Sequence, residues 1–457
     1  MSGHRPRGPR PLGRHCHLAA YFPGADTPTV WTGPDAKSPI EFSSFEHLAR
    51  TAERGLFDFF LLAQGPRTRE YRGGIHDLDV AGRPEPLTVL NALAAVTERL
   101  GLAATADATF NEPFELARRL ATLDHLSGGR AAWHVVTSSD ARTGEDFRRG
   151  DYLDRADRYP RAAEFVATAR MLWDSWAPDE APRPFAHRGR HFDITGEFTV
   201  PRSPQGHPVV IRTGDSGEGR EFAAATADVV LARPGTLEAG RAFYADVKGR
   251  LAKYGRTADD LKIMPGVTVV LGDTAAEAQE RAATIRRRLV SPQRALLTLE
   301  RLWGVDLSAH DPDGPLPEFD PVADPRLTGG RARHGDAVAT AGKLRALSRE
   351  KGLSIRQTVI ETSARQSFIG TPEAVAAELA EFVREGAADG FVLVPQLTPG
   401  GLDEFVDRVV PQLQERGAFR TEYEGRTLRS HLGLPDPVGT GEPYDDRTDR
   451  MTTRPTP

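Results

Sequence analysis

The alternation of short apolar runs with stretches of helical periodicity most constrains the fold of this 457-residue chain. This alternation is typical of a parallel sheet whose strands are wrapped by helices. Eight runs predict strands, at residues 17–22, 57–63, 100–106, 131–137, 209–212, 229–231, 264–271 and 390–394. Eight strands fit a (β/α)8 barrel, although a doubly wound open sheet explains the same alternation.

Local signals predict where two of the helices begin and end. Ser43 and Glu46 have the spacing of a capping box, and Gly55 stops the helix that follows. Thr371, with a proline after it, predicts the start of a helix that ends near Arg384.

Composition predicts a soluble globular protein, and 457 residues suffice for one large barrel with insertions or for two ordinary domains. Hydrophobic residues make up 39% of the chain and charged residues 27%, a balance that allows a sizeable core. The net charge of -5 is spread over both signs, so no basic face predicts nucleic-acid binding. We expect one domain over residues 15–434, a disordered leader at 1–14 and a disordered tail at 435–457.

Cysteine usage and the N-terminus predict the compartment. The single cysteine, Cys16, excludes an intramolecular disulfide and suits a reducing cytoplasm. The first residues lack the apolar run of a signal peptide or membrane span. We therefore expect a cytoplasmic protein that does not bind membranes.

Three stretches are predicted to be insertions in the barrel. Residues 65–86 follow the second strand, 138–157 the fourth and 272–366 the seventh. A structureless loop as long as the third is rare in a compact domain, so part of it should be helical or form a lid.

Polar residues follow four of the predicted strands, where a barrel carries its active site. These strand-end residues are Gln64, Asp107, Thr109, His134, Thr137, Asp215 and Ser216. We expect them to converge on one pocket.

Two local patterns admit a functional and a structural interpretation. The glycine-rich segment 212–220, followed by a helix predicted at 221–227, suits a phosphate site, or it is an ordinary turn. Strand alternation puts His134 opposite Trp133 and Val135. His134 therefore faces the pocket if that side is the barrel interior, or is a hydrogen-bonded core histidine.

Two other polar patterns predict structural roles. His15 and His17 lack a third ligand, so we predict no metal site. Asp58 interrupts an apolar strand and is interpreted as a buried acid paired with a base elsewhere.

Residues 123–139 (LDHLSGGRAAWHVVTSS) closely resemble the central signature of the nitrilotriacetate monooxygenase family, a branch of the bacterial luciferase-like superfamily. Further matching blocks lie at residues 51–58, 95–102, 172–176, 370–373, 388–391, 409–413 and 423–429. The blocks occur in order over about 15–434, which makes the resemblance specific.

The resemblance implies a TIM barrel with insertions that uses reduced FMN and O2 to oxygenate a small organic substrate. It also implies a separate flavin reductase that uses NADH or NADPH. A homodimer or homotetramer is expected.

The resemblance further implies which residues contact the flavin. The expected cofactor-binding residues are Gln64, Asp107, His134, Thr137, Arg155, Tyr159, Ser216 and Gly217. His134 stands where the family has asparagine and is the expected catalytic residue, as a hydrogen-bond donor or proton shuttle. Arg155, Tyr159 and Ser216 are expected to clamp the flavin phosphate.

Asp107 bears on two alternative functions. Its anion beside a reduced flavin requires protonation or a partner, for which His134 and Gln64 are candidates. The alternatives are a deazaflavin-dependent hydride-transfer oxidoreductase of the same fold and a non-catalytic flavin-binding subunit.

Overall fold

A computed structural model describes most of the chain. The described ranges are 15–22, 30–31, 40–62, 84–137, 155–176, 181–233, 235–322, 334–363, 367–398 and 400–437. The predicted leader, nearly all of the first insertion and most of the second lie outside these ranges, as does the predicted tail beyond residue 437.

The strands of the described chain form one large parallel sheet and two small pairs. In chain order they are β1 (His17–Tyr21), β2 (Val30–Trp31), β3 (Phe59–Leu62), β4 (Gly101–Asp107), β5 (Ala131–Val136), β6 (Phe185–Arg188), β7 (Asp193–Gly196), β8 (Val209–Thr213), β9 (Val229–Leu231), β10 (Lys262–Ile263), β11 (Gly266–Leu271), β12 (Ser367–Gly370), β13 (Gly390–Leu393) and β14 (Leu397–Thr398).

The large sheet closes into a barrel. Neighbouring strands pair in parallel in the order β1, β3, β4, β5, β8 and β9, and β13 returns to β1. The seventh barrel strand is split: β10 pairs with β9, whereas β11 pairs with β13. The eight predicted strands are thus confirmed as a closed ring, and the open-sheet alternative is wrong.

Helices cover the outside of the ring. In chain order they are α1 (Phe42–Arg54), α2 (Pro86–Ala94), α3 (Pro113–Ser127), α4 (Arg155–Asp174), α5 (Gly217–Thr226), α6 (Leu237–Arg250), α7 (Ala275–Leu289), α8 (Pro292–Trp303), α9 (His334–Lys351), α10 (Ile355–Ser363), α11 (Pro372–Arg384), α12 (Gly401–Arg408), α13 (Val410–Glu415) and α14 (Leu428–His431). None of the helices in the described ranges is long and apolar enough to cross a membrane.

Residues 428–434 close the barrel interior at the N-terminal ends of its strands. Leu428, Leu432 and Leu434 belong to the same buried cluster as the inward-facing strand residues. Gly101 must be small here, because a Cβ atom would lie 2.6 Å from Leu428 Cδ1. In the described part of the chain, the C-terminal ends of the strands are therefore the expected side for a ligand to enter.

Part of the third insertion is helical, as predicted, whereas its described residues 304–322 form turns and irregular chain. Helices α7 to α10 lie within it, and several of its apolar side chains, including Trp303, Leu316 and Ile355, share a buried cluster of their own. Helix α7 differs, because Ala282, Ile285 and Leu289 pack with Val270 of β11 and so join the insertion to the barrel.

One of the two helix signals in the sequence was wrong. Helix α1 begins at Phe42, before Ser43, and its N-cap residue Glu41 makes no side-chain capping bond. Ser43 therefore lies inside the first turn and cannot cap it. Helix α11 follows its prediction, since Thr371 Oγ1 accepts a hydrogen bond from the Ala374 N–H.

Candidate active site

The inner face of β4 and β5 carries polar residues at the open end of the barrel. Ala103 and Ala132 belong to the interior cluster, and alternation puts Thr105, Asp107 and His134 on the same side. All three are buried, and Thr105 is directly opposite His134 in the strand register. Thr105 Oγ1 and His134 Nδ1 are 2.9 Å apart, so the hydroxyl orients the ring.

The opposite face of β5 packs against the helices, as alternation predicted. Trp133 and Val135 are fully buried in the outer core. The Trp133 ring lies 5.4 Å from that of Phe165 of α4, and its Nε1 donates to Ala106 O at 3.1 Å. His134 therefore faces inward, and its contact with a flavin stays a prediction.

The Asp107 carboxylate is held by backbone donors just past the end of β4. Its Oδ1 accepts hydrogen bonds from the N–H groups of Thr109 and Phe110. The structure thus gives Asp107 partners that the sequence analysis did not name, because these N–H groups become available only when the chain turns after the strand.

A second polar group lies where β8 turns into α5. Ser216 is the N-cap of α5, and its Oγ accepts a hydrogen bond from Gly219 N at 3.1 Å. The Tyr159 hydroxyl of α4 lies 3.4 Å from the same Oγ. Helix α5 begins at residue 217, four residues before the predicted start, so its free N–H groups lie beside these hydroxyls.

Position 219 has little room for a side chain in this tight turn. A Cβ atom there would lie 3.1 Å from Gly214 Cα and 3.3 Å from the Tyr159 oxygen. Gly217 differs, because nothing lies within 4 Å of its Cβ position. The turn therefore leaves open space at Gly217, beside the two hydroxyls and the helix start.

Arginines surround this turn. The Arg158 guanidinium carbon lies 4.7 Å from the centre of the Tyr159 ring. Arg212 of β8 is buried below the turn and donates from Nη1 to Val135 O at 2.6 Å. Among the described residues, no group of histidine, cysteine and acidic side chains is arranged to hold a metal ion.

The structure brings together some of the predicted site residues. Asp107 and His134 lie on adjacent strands, and the Tyr159 hydroxyl lies beside Ser216 Oγ. Arg212 of β8 donates to Val135 O of β5, the residue after His134. The remaining predicted residues are Gln64, Thr137 and Arg155. Gln64 and the side chain of Arg155 lie outside what the structure describes, and Thr137 is half-buried just after β5.

Sequence reasoning missed two neighbours of the site. Thr105 follows the inward alternation that ends at Asp107, a spacing that would have identified it. Arg212 appeared in the glycine-rich segment but not as a site residue. Its signal is a charged residue directly after three apolar ones, Val209 to Ile211.

Comparison with known proteins decides the family. Residues 25–389 match the model for luciferase-like monooxygenases, which is most of the chain. The chain belongs to the luciferase-like monooxygenase family. Nitrilotriacetate monooxygenase component A from Aminobacter aminovorans is 41% identical over 437 residues, covering 89% of this chain and 93% of that protein.

Solved structures of similar proteins agree with the barrel. DmoA from Hyphomicrobium sulfonivorans matches with a TM-score of 0.78 at 29% identity, covering 93% of each chain. Riboflavin lyase with modified FMN and riboflavin matches with a TM-score of 0.75 at 27% identity, over 93% of this chain and 97% of that one. The expected luciferase-like barrel and monooxygenase class are confirmed.

Proposed function

We propose that this luciferase-like protein is the oxygenase of a two-component system. It binds reduced FMN made by a separate NADH- or NADPH-dependent reductase and uses O2 to oxygenate a small organic molecule. The observation that carries the proposal is the pairing of Tyr159 and Ser216 at the start of α5, beside a buried polar group at the open end of the barrel.

The turn before α5 has the donors that a flavin phosphate needs. The hydroxyls of Tyr159 and Ser216 lie side by side and can donate hydrogen bonds to phosphate oxygens. The free N–H groups at the start of the helix also favour an anion. The open space at Gly217 leaves room for the phosphate oxygens. Arg155, at the start of α4, adds positive charge.

The interior group suits the flavin ring and the reaction. Reduced FMN supplies the electrons that activate O2. His134, oriented by Thr105, holds a hydrogen bond or a proton at the reacting edge of the ring, and Asp107, Gln64 and Thr137 contribute polar contacts around it. Closure of the N-terminal end by Leu428 and its neighbours helps to exclude water.

Two relatives support the cofactor and the partner. The relative from Aminobacter aminovorans is named as a component, which fits an oxygenase that works with a second protein. The matching riboflavin lyase structure carries modified FMN. The F420-dependent structures that match are 13–15% identical and support the fold alone, so deazaflavin is the weaker candidate.

Anaerobic titration with reduced FMN, oxidised FMN and reduced deazaflavin tests the proposal. We expect reduced FMN to bind most tightly, because the protein must capture a cofactor that diffuses from the reductase. We also expect no NADH consumption until a reductase is added. Equal or tighter binding of oxidised FMN, preference for deazaflavin, or NADH consumption by the protein alone would contradict it.

A further inference from the structure

Within the described part of the chain, Arg212 is a buried cation that forms no ion pair. Its side chain is 2% exposed, and among the described residues it forms no ion pair and its Nε has no hydrogen-bond partner. Its contacts are Val135 O, at 2.6 Å from Nη1, and the Phe222 ring, whose centre lies 4.3 Å from the guanidinium carbon.

Three other buried arginines are compensated by nearby acceptors. Arg420 pairs with Asp58, and Arg429 pairs with Asp228 at 2.9 Å. Arg130 makes five hydrogen bonds to backbone and hydroxyl oxygens. A buried charge is costly unless it is paired, so the guanidinium of Arg212, which has no acidic partner among the described residues, would be stabilised by a bound anion.

The surroundings of Arg212 indicate where that anion binds. Phe222, on which the guanidinium stacks, lies 5.9 Å from the Tyr159 ring, and the Tyr159 hydroxyl meets Ser216. Burial lowers the pKa of Arg212 to about 10, and Tyr159 and Asp107 raise it in part. Arg212 is therefore still charged at neutral pH.

We propose that Arg212 is the buried counter-charge of this turn and makes it select a flavin that carries a phosphate over neutral riboflavin. The inference rests on the proposed function, because it takes the turn at α5 as the phosphate site. Arg212 acts from beneath the turn, while Ser216 and Tyr159 act on its surface.

The test compares Arg212→Gln with the wild type. Glutamine keeps an amide donor for Val135 O and removes the charge. FMN affinity should fall by about tenfold or more, while riboflavin affinity changes by less than about twofold. Arg212→Lys, which keeps the charge, should retain most of the preference for FMN.

Thermal melting gives a second readout of the same variant. Without flavin, Arg212→Gln should melt at the wild-type temperature or above it, because an uncompensated charge has been removed. The rise in melting temperature on adding FMN should shrink. Arg170→Gln is the matched control, since Arg170 also donates to a backbone carbonyl, that of Thr226 at 2.7 Å. It should leave the FMN preference unchanged.

The outcomes separate the two proposals. If the wild type prefers FMN and Arg212→Gln keeps that preference, or loses both ligands equally, the role of Arg212 is wrong and the phosphate site stands. If the wild-type protein binds FMN and riboflavin with equal affinity, both the proposed phosphate site and the proposed role of Arg212 are wrong.

Discussion

At the residue scale, the buried carboxylate of Asp58, at the N-terminal end of the barrel strands, is compensated by basic side chains. Asp58 is fully buried just before β3 and pairs with Arg420, with His17 Nδ1 at 3.2 Å and with the Leu18 N–H at 2.9 Å. Burial alone would raise the pKa of Asp58, but Arg420 and His17 outweigh it and bring the pKa down to about 2. The interpretation of Asp58 as a structural acid paired elsewhere is confirmed.

Breaking this pair should destabilise the protein strongly. Arg420→Met leaves a buried carboxylate without its cation and should lower the free energy of unfolding by about 3–5 kcal/mol, measured by urea denaturation. The surface pair of Arg54 with Asp407 is the control, because both side chains are more than half exposed. Arg54→Met should change stability by less than about 1 kcal/mol.

The same pair has a predicted pH dependence. Because the folded pKa of Asp58 lies below the usual aspartate value of 3.8, the pair stabilises the protein fully above pH 3.8. That stability is lost as pH falls towards about 2. The gap in stability between wild type and Arg420→Met should therefore narrow over this window, and a gap that is constant with pH would contradict the pairing.

His134 is the residue on which the proposed chemistry depends. His134→Asn should leave reduced-FMN binding nearly unchanged and slow product formation by roughly tenfold to a hundredfold, the modest end for a general acid because asparagine keeps one donor. Binding is measured by anaerobic titration, and turnover with a reductase and a substrate of this enzyme.

A companion variant separates chemistry from structure. Thr105→Val removes the hydroxyl that orients His134 and should shift turnover in the same direction by a smaller factor. Unchanged turnover in His134→Asn, or a loss confined to flavin binding, would leave His134 a structural contact.

At the element scale, the start of α5 carries the proposed phosphate site. The Ser216 cap, the short β8 and the neighbouring α4 bring two hydroxyls to one helix end. A helix end presents free N–H groups, so local geometry alone already favours an anion. The earlier start of α5, at residue 217, makes Ser216 a capping residue as well as a proposed phosphate ligand.

Removing these hydroxyls should weaken phosphate recognition selectively. Ser216→Ala and Tyr159→Phe should each reduce FMN affinity by about tenfold, with less than about twofold change for riboflavin, measured by fluorescence titration. Thr371→Ala is the control, because it removes an equivalent cap from α11. It should cost about 1 kcal/mol of stability and no flavin affinity. Equal losses for both flavins at position 216 would place the phosphate elsewhere.

At the scale of the whole molecule, the ring of strands was predictable because its strands are buried on both faces. Such strands appear in sequence as short apolar runs, and all eight were found. The first piece of the seventh strand was missed, because β10 begins with a lysine and lies before the predicted apolar run at 264–271.

Contacts between distant parts of the chain account for most of what the sequence could not predict. Asp58 and Arg420 are 362 residues apart, so the base that pairs with the acid was unknown until the fold was formed. The backbone N–H group that donates to Asp107 is available only because the chain turns after β4, a turn that the sequence analysis did not predict. The inward direction of His134 followed from alternation, whereas its partner Thr105 lies on another strand.

A crystal structure with bound FMN tests the central claim most directly, that the turn at α5 and the inner face of β5 form one flavin site. Phosphate oxygens should lie about 3 Å from Ser216 Oγ and the Tyr159 hydroxyl. The flavin ring should lie within about 8 Å of His134, close enough for direct or water-mediated hydrogen bonding. A phosphate bound away from α5, or a ring farther than this from His134, would contradict the account.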